Sequence, residues 1–260
     1  MLVTIIGSGN VATVLGRLLI EKGHLVAQVY SRNPAHAASL ANQLQATAVS
    51  DLSLLGRQSD LYLLAVTDDA LPAVASTLSL PGKLVLHTAG SVSKDVLKNV
   101  SDQYGVLWPM KMIRRSMATL TPVTIVIDGS FETVCHQVER VARIFSPLVV
   151  QAGDALRIKM HMLAAITSNF TNHLYHLASD YCLKEGIDFN LFHPLIEETA
   201  RAIQAGHPKQ FQAGPAYRGD GVTLEKHLQL LKQDPQLEKI YKVLSESIAL
   251  SFDPGSGKTG

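Results

Sequence analysis

Two glycines near the start of the chain, Gly7 and Gly9, stand where a backbone could approach a phosphate group. They belong to Gly7-Ser8-Gly9-Asn10-Val11-Ala12, which follows the apolar run Leu2–Ile6 and precedes a helical pattern. This GxGxxA spacing between a strand and a helix is typical of dinucleotide binding. Gly7 permits the tight turn, Gly9 leaves room for a pyrophosphate, and Ala12 lets helix and strand pack closely. The alternative is a glycine-rich turn without a ligand.

The end of the second β-type run indicates which dinucleotide would bind. NAD-selective sites place an acidic residue there for the ribose hydroxyls. Here the run ends in Tyr30-Ser31-Arg32-Asn33, without an acid. Arg32 can pair with a 2′-phosphate and Ser31 can donate a hydrogen bond to it, so the sequence favours NADP over NAD. An ordinary serine and arginine ahead of a helix is the alternative.

Polar residues also follow the next β-type runs. Because ligands bind at the carboxyl ends of parallel strands, we expect Val66, Thr67 and Asp68 to flank the cofactor. The loop His87–Ser91 could lie near the nicotinamide, with His87 as a candidate acid. The same loop could equally be a helix-capping turn.

A histidine in the second half of the chain is the first candidate for proton transfer. His161, Ser168 and Asn169 share a face of one predicted helix, amid apolar neighbours. Buried polar groups are costly unless they are paired, and a helix facing the cofactor would supply a partner. We therefore predict His161 as proton donor or substrate anchor, with Ser168 and Asn169 holding the substrate or the nicotinamide carboxamide. The alternative is a core or interface histidine.

Candidate substrate ligands lie elsewhere. The Gly-rich segment 214–223 contains Arg218, which could bind a carboxylate, Asp220, which could orient Arg218, and Thr223, predicted to cap the next helix. An internally paired loop is the alternative. Lys111 could face an anionic substrate, although a solvated lysine is more common. We predict no metal site, because no ligand signature accompanies the spaced His173, His176 and Asp180.

The order of elements predicts how these residues are positioned. Apolar, strand-like runs alternate with helical patterns up to residue 152, which favours parallel βαβ units. The predicted strands are Leu2–Ile6, Leu25–Tyr30, Leu61–Val66, Lys83–His87, Val106–Trp108, Thr124–Ile127 and Leu148–Gln151, and the predicted helices are Asn10–Lys22, Pro34–Leu44, Asp68–Leu78 and Glu132–Phe145. We therefore predict an α/β fold, a Rossmann-type, mostly parallel sheet followed by an all-helical domain.

The sequence pattern after Gly153 predicts helices and no strands. The segment 154–185 has no Gly or Pro and can form one long helix, followed by helical patterns at 188–205, 224–232 and 236–252. We predict an NADP-binding domain over residues 1–152, a helical substrate and dimerisation domain over 153–255, and a flexible tail over 256–260.

Composition excludes several function classes. The chain has 260 residues, 47% of them hydrophobic and 17% charged, which is typical of a folded protein. A net charge of +1 gives no electrostatic case for nucleic acid or an anionic membrane. No apolar run reaches the length of about 18 residues that a membrane span needs. Without a signal-peptide pattern or a CxxC motif, we expect a cytoplasmic protein.

Together these motifs resemble a known family. The glycine turn, His87–Ser91, His161 and the string GPxxRGDxxTxxxHL, from Gly214 to Leu228, resemble the Rossmann-like NADP oxidoreductases with an uncharacterised helical C-terminal domain, described as deazaflavin-dependent. The resemblance covers nearly the whole chain, and it implies the fold and the cofactor without a substrate.

The chain is more distantly similar to pyrroline-5-carboxylate reductase and the β-hydroxyacid dehydrogenases. The first similarity implies a role for Thr223 near a dimer interface. The second family uses a Lys-x-x-x-Asn pair, from which this chain departs, since Leu163 stands four residues after Lys159.

The leading hypothesis is a homodimeric, NADP-dependent oxidoreductase. It would transfer a hydride between the nicotinamide and a small C=N or C=O substrate, which could carry a carboxylate. Two alternatives stay open, an NADP(H)-binding sensor or scaffold without turnover, and hydride exchange between NADP and a deazaflavin.

Overall fold

The apolar runs of the first half form one twisted sheet. A computed structural model describes residues 1–120 and 122–252, and in that part of the chain eight strands pair in the order β3-β2-β1-β4-β5-β6-β7-β8. The strands are β1 Leu2–Ile6, β2 Leu25–Tyr30, β3 Thr47–Val49, β4 Leu61–Leu64, β5 Leu84–His87, β6 Tyr104–Pro109, β7 Ile125–Gly129 and β8 Val149–Gln151. Strands β6 and β7 pair antiparallel and all other neighbours are parallel. The predicted fold class is confirmed.

The central strands are apolar at successive positions because the sheet is buried on both faces. Along β4, Leu61 and Leu63 pack into one hydrophobic cluster, while Tyr62 and Leu64 pack into the other. The helices that accompany the sheet are α1 Asn10–Glu21, α2 Pro34–Gln43, α3 Leu71–Ser76, α4 Glu132–Phe145 and α5 Asp154–Ala164. Alternate side chains of one strand therefore bury against different layers, as in other doubly covered sheets.

The strand order creates a crevice beside β1. Chain continuity runs outward from β1 to β2 and β3 on one side, and it crosses to β4 and the later strands on the other. At such a switch point the loops after the two central strands separate, and a ligand can enter between them. The glycine turn after β1 and the segment after β4 both lie at this edge.

The long helix predicted over 154–185 contains a change of helical pitch. Helix α5 is followed by a π-helical segment, Ala165–Phe170, and then by α6, Thr171–Glu185. A π segment widens the turn and shifts the angular position of the residues beyond it, and such segments are frequent at functional sites. It includes Ser168 and Asn169, so an ideal α-helical period does not describe their placement relative to His161.

The chain divides into two compact units, residues 1–169 and the part from Phe170 onward. The described helices of the second unit are α6, α7 His193–Ala205, α8 Pro215–Arg218, α9 Gly221–Leu230 and α10 Pro235–Phe252. The predicted tail, residues 256–260, lies outside the described residues. The functional boundary between residues 152 and 153 stays a prediction. None of the described helices is long and apolar enough to cross a membrane.

Candidate active site

An open cavity of about 580 Å³, here called the first cavity, lies at the carboxyl ends of β1, β2 and β4. It is lined by nine residues predicted to bind the cofactor, Gly7, Ser8, Gly9, Asn10, Val11, Ser31, Arg32, Val66 and Thr67. Ala12 is buried beneath the turn and packs into the core, as its predicted role requires. Asp68 does not line this cavity, and its predicted contact with the cofactor stays a prediction.

Gly7 and Gly9 are needed in the turn for different structural reasons. Gly7 has φ +129°, and a Cβ there would lie 2.7 Å from the carbonyl carbon of Ala65 and closer still to its oxygen. Gly9 precedes α1 without a side-chain cap, and a Cβ there would meet no atom within 4 Å. Gly7 thus serves the fold, whereas Gly9 keeps open the space in front of the helix N-terminus. A pyrophosphate fits this cradle, because the first N–H groups of α1 have no partner within the helix.

The end of β2 leaves one cation exposed beside the cradle. The Ser8 hydroxyl donates to the Ser31 hydroxyl at 3.0 Å. Asn33 caps α2 by accepting hydrogen bonds from the backbone N–H groups of Ala35 and His36. Arg32 is exposed and pairs with no carboxylate among residues 1–120 and 122–252. Its guanidinium is therefore available to an anion in the first cavity.

Sequence analysis missed a second basic group at this place. His36 also lines the first cavity, one helical turn after Arg32. The spacing of Arg32 and His36 could have indicated this, because residues four apart at the start of a helix can face the same ligand.

The loop after β5 was expected either to border the cofactor site or to form a helix-capping turn, and it has features of both. Thr88 lines the first cavity, while Ser93 caps a short 3₁₀ turn by accepting from the Asp95 N–H. The Ser91 hydroxyl donates to the Asp68 carboxylate, so it ties this loop to the segment after β4. Part of the loop thus borders the cavity and part of it caps a turn.

His87 is fully buried and lines neither this cavity nor the second one described below. Its Nδ1 accepts a hydrogen bond from the Ala89 N–H at 3.2 Å. Burial, together with the nearby positive charge of Arg157, lowers the pKa of His87 from 6.5 to about 4. The imidazole is neutral near pH 7, and its role as an alternative acid stays a prediction.

This lowered pKa makes stability depend on pH. An unfolded His87 binds a proton below pH 6.5, whereas the folded one resists protonation until about pH 4. The stabilisation is therefore complete above pH 6.5 and is lost as the pH falls to about 4, by roughly 3 kcal/mol. We expect His87→Asn, which keeps an acceptor for Ala89, to flatten this dependence in urea unfolding at about pH 7 and about pH 4.5. An unchanged pH dependence in the variant would contradict this assignment.

A second cavity of about 530 Å³ brings together four predicted site residues, Lys111, His161, Ser168 and Asn169. Most of its remaining lining is apolar, formed by Trp108, Met110, Met112, Met160, Leu163, Ala164 and Ala165. Trp108 and Lys111 line both cavities, so the two cavities adjoin at these side chains. The Lys111 ammonium donates to the Leu120 carbonyl at 3.0 Å, which leaves two of its three donors for other partners.

His161 is held in a notch of the first unit. Its ring lies 5.4 Å from that of Trp108, centroid to centroid, at an angle of 52°. A Cβ on Gly90 would come within 2.5 Å of the His161 ring and 2.6 Å of Trp108. Gly90 is therefore needed for the close approach of these two rings, a role that its sequence context did not reveal.

The helix carrying His161 is anchored by a buried charge cluster that sequence analysis missed. Arg157 is 1% exposed and donates to the Asp154 carboxylate at 2.6 Å and to the Val92 carbonyl. Its other side lies 3.8 Å from Asp128, which also accepts from Lys94 at 2.8 Å. Buried charges persist only when they are paired, so this cluster fixes the start of α5 against the loop after β5.

The predicted carboxylate ligands belong to the second unit. Asp220 precedes α9 and accepts from the backbone N–H and the hydroxyl of Thr223, which lowers the pKa of Asp220. Asp220, not Thr223, is therefore the N-cap, which corrects our prediction. Arg218 is exposed and forms no ion pair with Asp220. The substrate roles of all three residues stay predictions.

The spaced histidines of α6 do not form a ligand cluster. His176 lies 3.6 Å from Asp180, and both side chains are exposed. Within residues 1–120 and 122–252, no three His, Cys, Asp or Glu side chains are placed to hold a metal ion.

Comparisons with known proteins concern the family, the fold and the cofactor. Residues 2–90 match the family described as NADP oxidoreductase, coenzyme F420-dependent, and residues 123–248 match a domain of unknown function, DUF2520. No curated protein sequence matches the chain significantly. A solved structure from Bacteroides fragilis, provisionally named NADP oxidoreductase, is 33% identical with a TM-score of 0.86, covering 95% of this chain and 97% of that one.

Two more distant structures share the fold. A reductive aminase from Aspergillus terreus, solved with NADPH and ethyl-5-oxohexanoate, is 18% identical with a TM-score of 0.71, covering 99% of this chain and 95% of that one. A 1-pyrroline-5-carboxylate reductase from Streptococcus pyogenes is 14% identical with a TM-score of 0.62, covering 96% and 98%. The chain belongs to the NADP oxidoreductase family of the Bacteroides fragilis protein, and it is an oxidoreductase that uses NADP(H).

Proposed function

We propose that the protein reduces a small C=N or C=O substrate bound in the second cavity. The observation that carries this proposal is that Trp108 and Lys111 line both the cavity with the dinucleotide cradle and the cavity with His161. Because the two cavities adjoin at these residues, a substrate in the second cavity would lie next to a nicotinamide in the first, which is the proximity that hydride transfer requires.

The residues of the second cavity supply what the cofactor lacks. When bound, NADPH supplies the hydride. His161 donates a proton to the substrate nitrogen or oxygen from a ring nitrogen, so that one C–H and one N–H or O–H bond replace the π bond and a C–N or C–O single bond remains. Ser168 and Asn169 orient the substrate by hydrogen bonds, and the apolar lining, including Met110 and Met160, reduces access of water.

A deazaflavin remains a second candidate reaction partner. The match of residues 2–90 to a coenzyme F420-dependent family favours it. In that reaction the hydride would pass between NADP and the deazaflavin, with no need for His161 as an acid.

The test is NADPH oxidation by the full chain with defined partner classes. We expect turnover with a ketone, a ketone plus an amine, or a cyclic imine, followed as loss of NADPH absorbance. Turnover only between NADP⁺ and a reduced deazaflavin would favour the second candidate. Tight NADPH binding without oxidation in any mixture would favour a sensor or scaffold and contradict the proposal.

Homodimerisation and a cytoplasmic location stay predictions. Four large apolar side chains of α5, Leu156, Ile158, Met162 and Leu163, are 45–54% exposed, which supports a partner surface on this helix.

A further inference from the structure

A segment between β6 and β7 crosses the glycine turn from a distant part of the chain. Asn10 donates from its side-chain amide to the Ile113 carbonyl at 3.1 Å. Arg17 donates to the carbonyls of Arg115, at 2.9 Å, and Met117. Helix α1 therefore holds residues 113–117 beside the cradle, and Ile113 lines the first cavity.

This segment brings Arg115 to the side of the cradle that Arg32 borders. The Arg115 guanidinium donates to the Ser8 carbonyl at 2.8 Å. The hydroxyl of the same Ser8 bonds to Ser31, the residue before Arg32. Ser8, His36 and Arg115 are among the residues that line a small recess. Ser8 and His36 also line the first cavity, so the recess adjoins that cavity.

The charge at this place is unbalanced. Arg115 is exposed and forms no ion pair in the described chain, and the same holds for Arg32. The hydrogen bond to Ser8 uses one of the five N–H groups of the Arg115 guanidinium, so others stay available to a ligand. Two unpaired guanidinium groups and an imidazole around two serine hydroxyls suit a doubly charged phosphate.

We propose that Arg115 is a second guanidinium ligand of the 2′-phosphate of NADP(H), and thus determines cofactor specificity together with Arg32. This role of Arg115 concerns cofactor binding alone, so it does not depend on which substrate is reduced. A role at the pyrophosphate would be different, because NADH and NADPH share that group.

Binding measurements with the full chain separate these roles. The probes are NADPH, NADH, 2′,5′-ADP and 5′-AMP, titrated calorimetrically into the wild type, Arg115→Ala, Arg32→Ala and the neighbouring control Arg114→Ala. We expect Arg115→Ala to raise the Kd for NADPH and 2′,5′-ADP by about tenfold or more, the loss of one charge-assisted contact. The Kd for NADH and 5′-AMP should change by less than about twofold, and the Arg114 variant should match the wild type.

A second variant separates the charge of Arg115 from its hydrogen bond to the Ser8 carbonyl. Arg115→Gln can still donate to the Ser8 carbonyl but lacks the positive charge, and we expect it to lose the same preference for the 2′-phosphate. Equal losses for NADPH and NADH, or an unchanged Kd for NADPH in Arg115→Gln, would overturn the proposal. Because 2′,5′-ADP contains no nicotinamide, this result is independent of whether any substrate is turned over.

Discussion

Gly9→Ala is expected to raise the Kd for NADPH by at least about tenfold while leaving the free energy of unfolding within about 0.5 kcal/mol of the wild type. Its backbone φ of −78° suits alanine, and the added methyl group would meet no protein atom within 4 Å. The methyl group would instead occupy the space through which a pyrophosphate reaches the N–H groups of α1.

Unlike Gly9→Ala, the substitution Gly7→Ala should destabilise the fold. A φ of +129° strains alanine, and the methyl group would collide with the backbone of Ala65 on the neighbouring segment. We expect a loss of about 3 kcal/mol or more, since backbone strain and overpacking add. Urea unfolding and NADPH titration of both variants give the comparison. Unchanged NADPH affinity in Gly9→Ala would mean that the pyrophosphate does not bind at this turn.

His161→Ala is expected to lower kcat by about 10²–10⁴-fold, the usual contribution of a positioned general acid. The Kd for NADPH should stay near the wild-type value, because His161 lines the second cavity and not the first. Alanine is favourable in a helix, so α5 should form in the variant. The measurement is steady-state kinetics with the substrate found by the NADPH oxidation screen, alongside direct NADPH titration.

His136→Ala is the control for this experiment. His136 is an exposed residue of α4 and lines neither cavity. We expect it to keep wild-type kcat. If His161→Ala also keeps wild-type kcat, the proton comes from another group. If its NADPH affinity falls in parallel with kcat, the histidine supports the cofactor and not the chemical step.

Local sequence patterns predicted most of the sheet and the cradle. The apolar runs of β1 and β2 match the observed strands from end to end, because a strand covered on both faces needs such a run. The three-residue strand β3 was missed, since so short a segment has no recognisable period. The helix expected from Asp68 begins as a 3₁₀ turn and becomes an α-helix only at Leu71.

Contacts between distant segments account for most of what was missed. Trp108, Gly90 and Arg157 have no local signal, because each acts through a partner from another element. The spacing of His161 and Ser168 predicted that they lie close together, and both line the second cavity, although Ser168 lies in a π-helical segment. A shared cavity therefore confirmed their proximity without confirming the ideal helical geometry used to predict it.

The sequence alone determined the glycine turn after β1, and it predicted Ser31 and Arg32 as ligands of a 2′-phosphate beside that turn. Those features depend on a glycine backbone and on side chains within one βαβ unit, which are local properties. Only the tertiary structure decided that the segment carrying Arg115 crosses the cradle and that Trp108 lines both the first cavity and the cavity of His161. Both results depend on the pairing of β6 beside β5 and on hydrogen bonds between residues about a hundred positions apart, which no local pattern encodes.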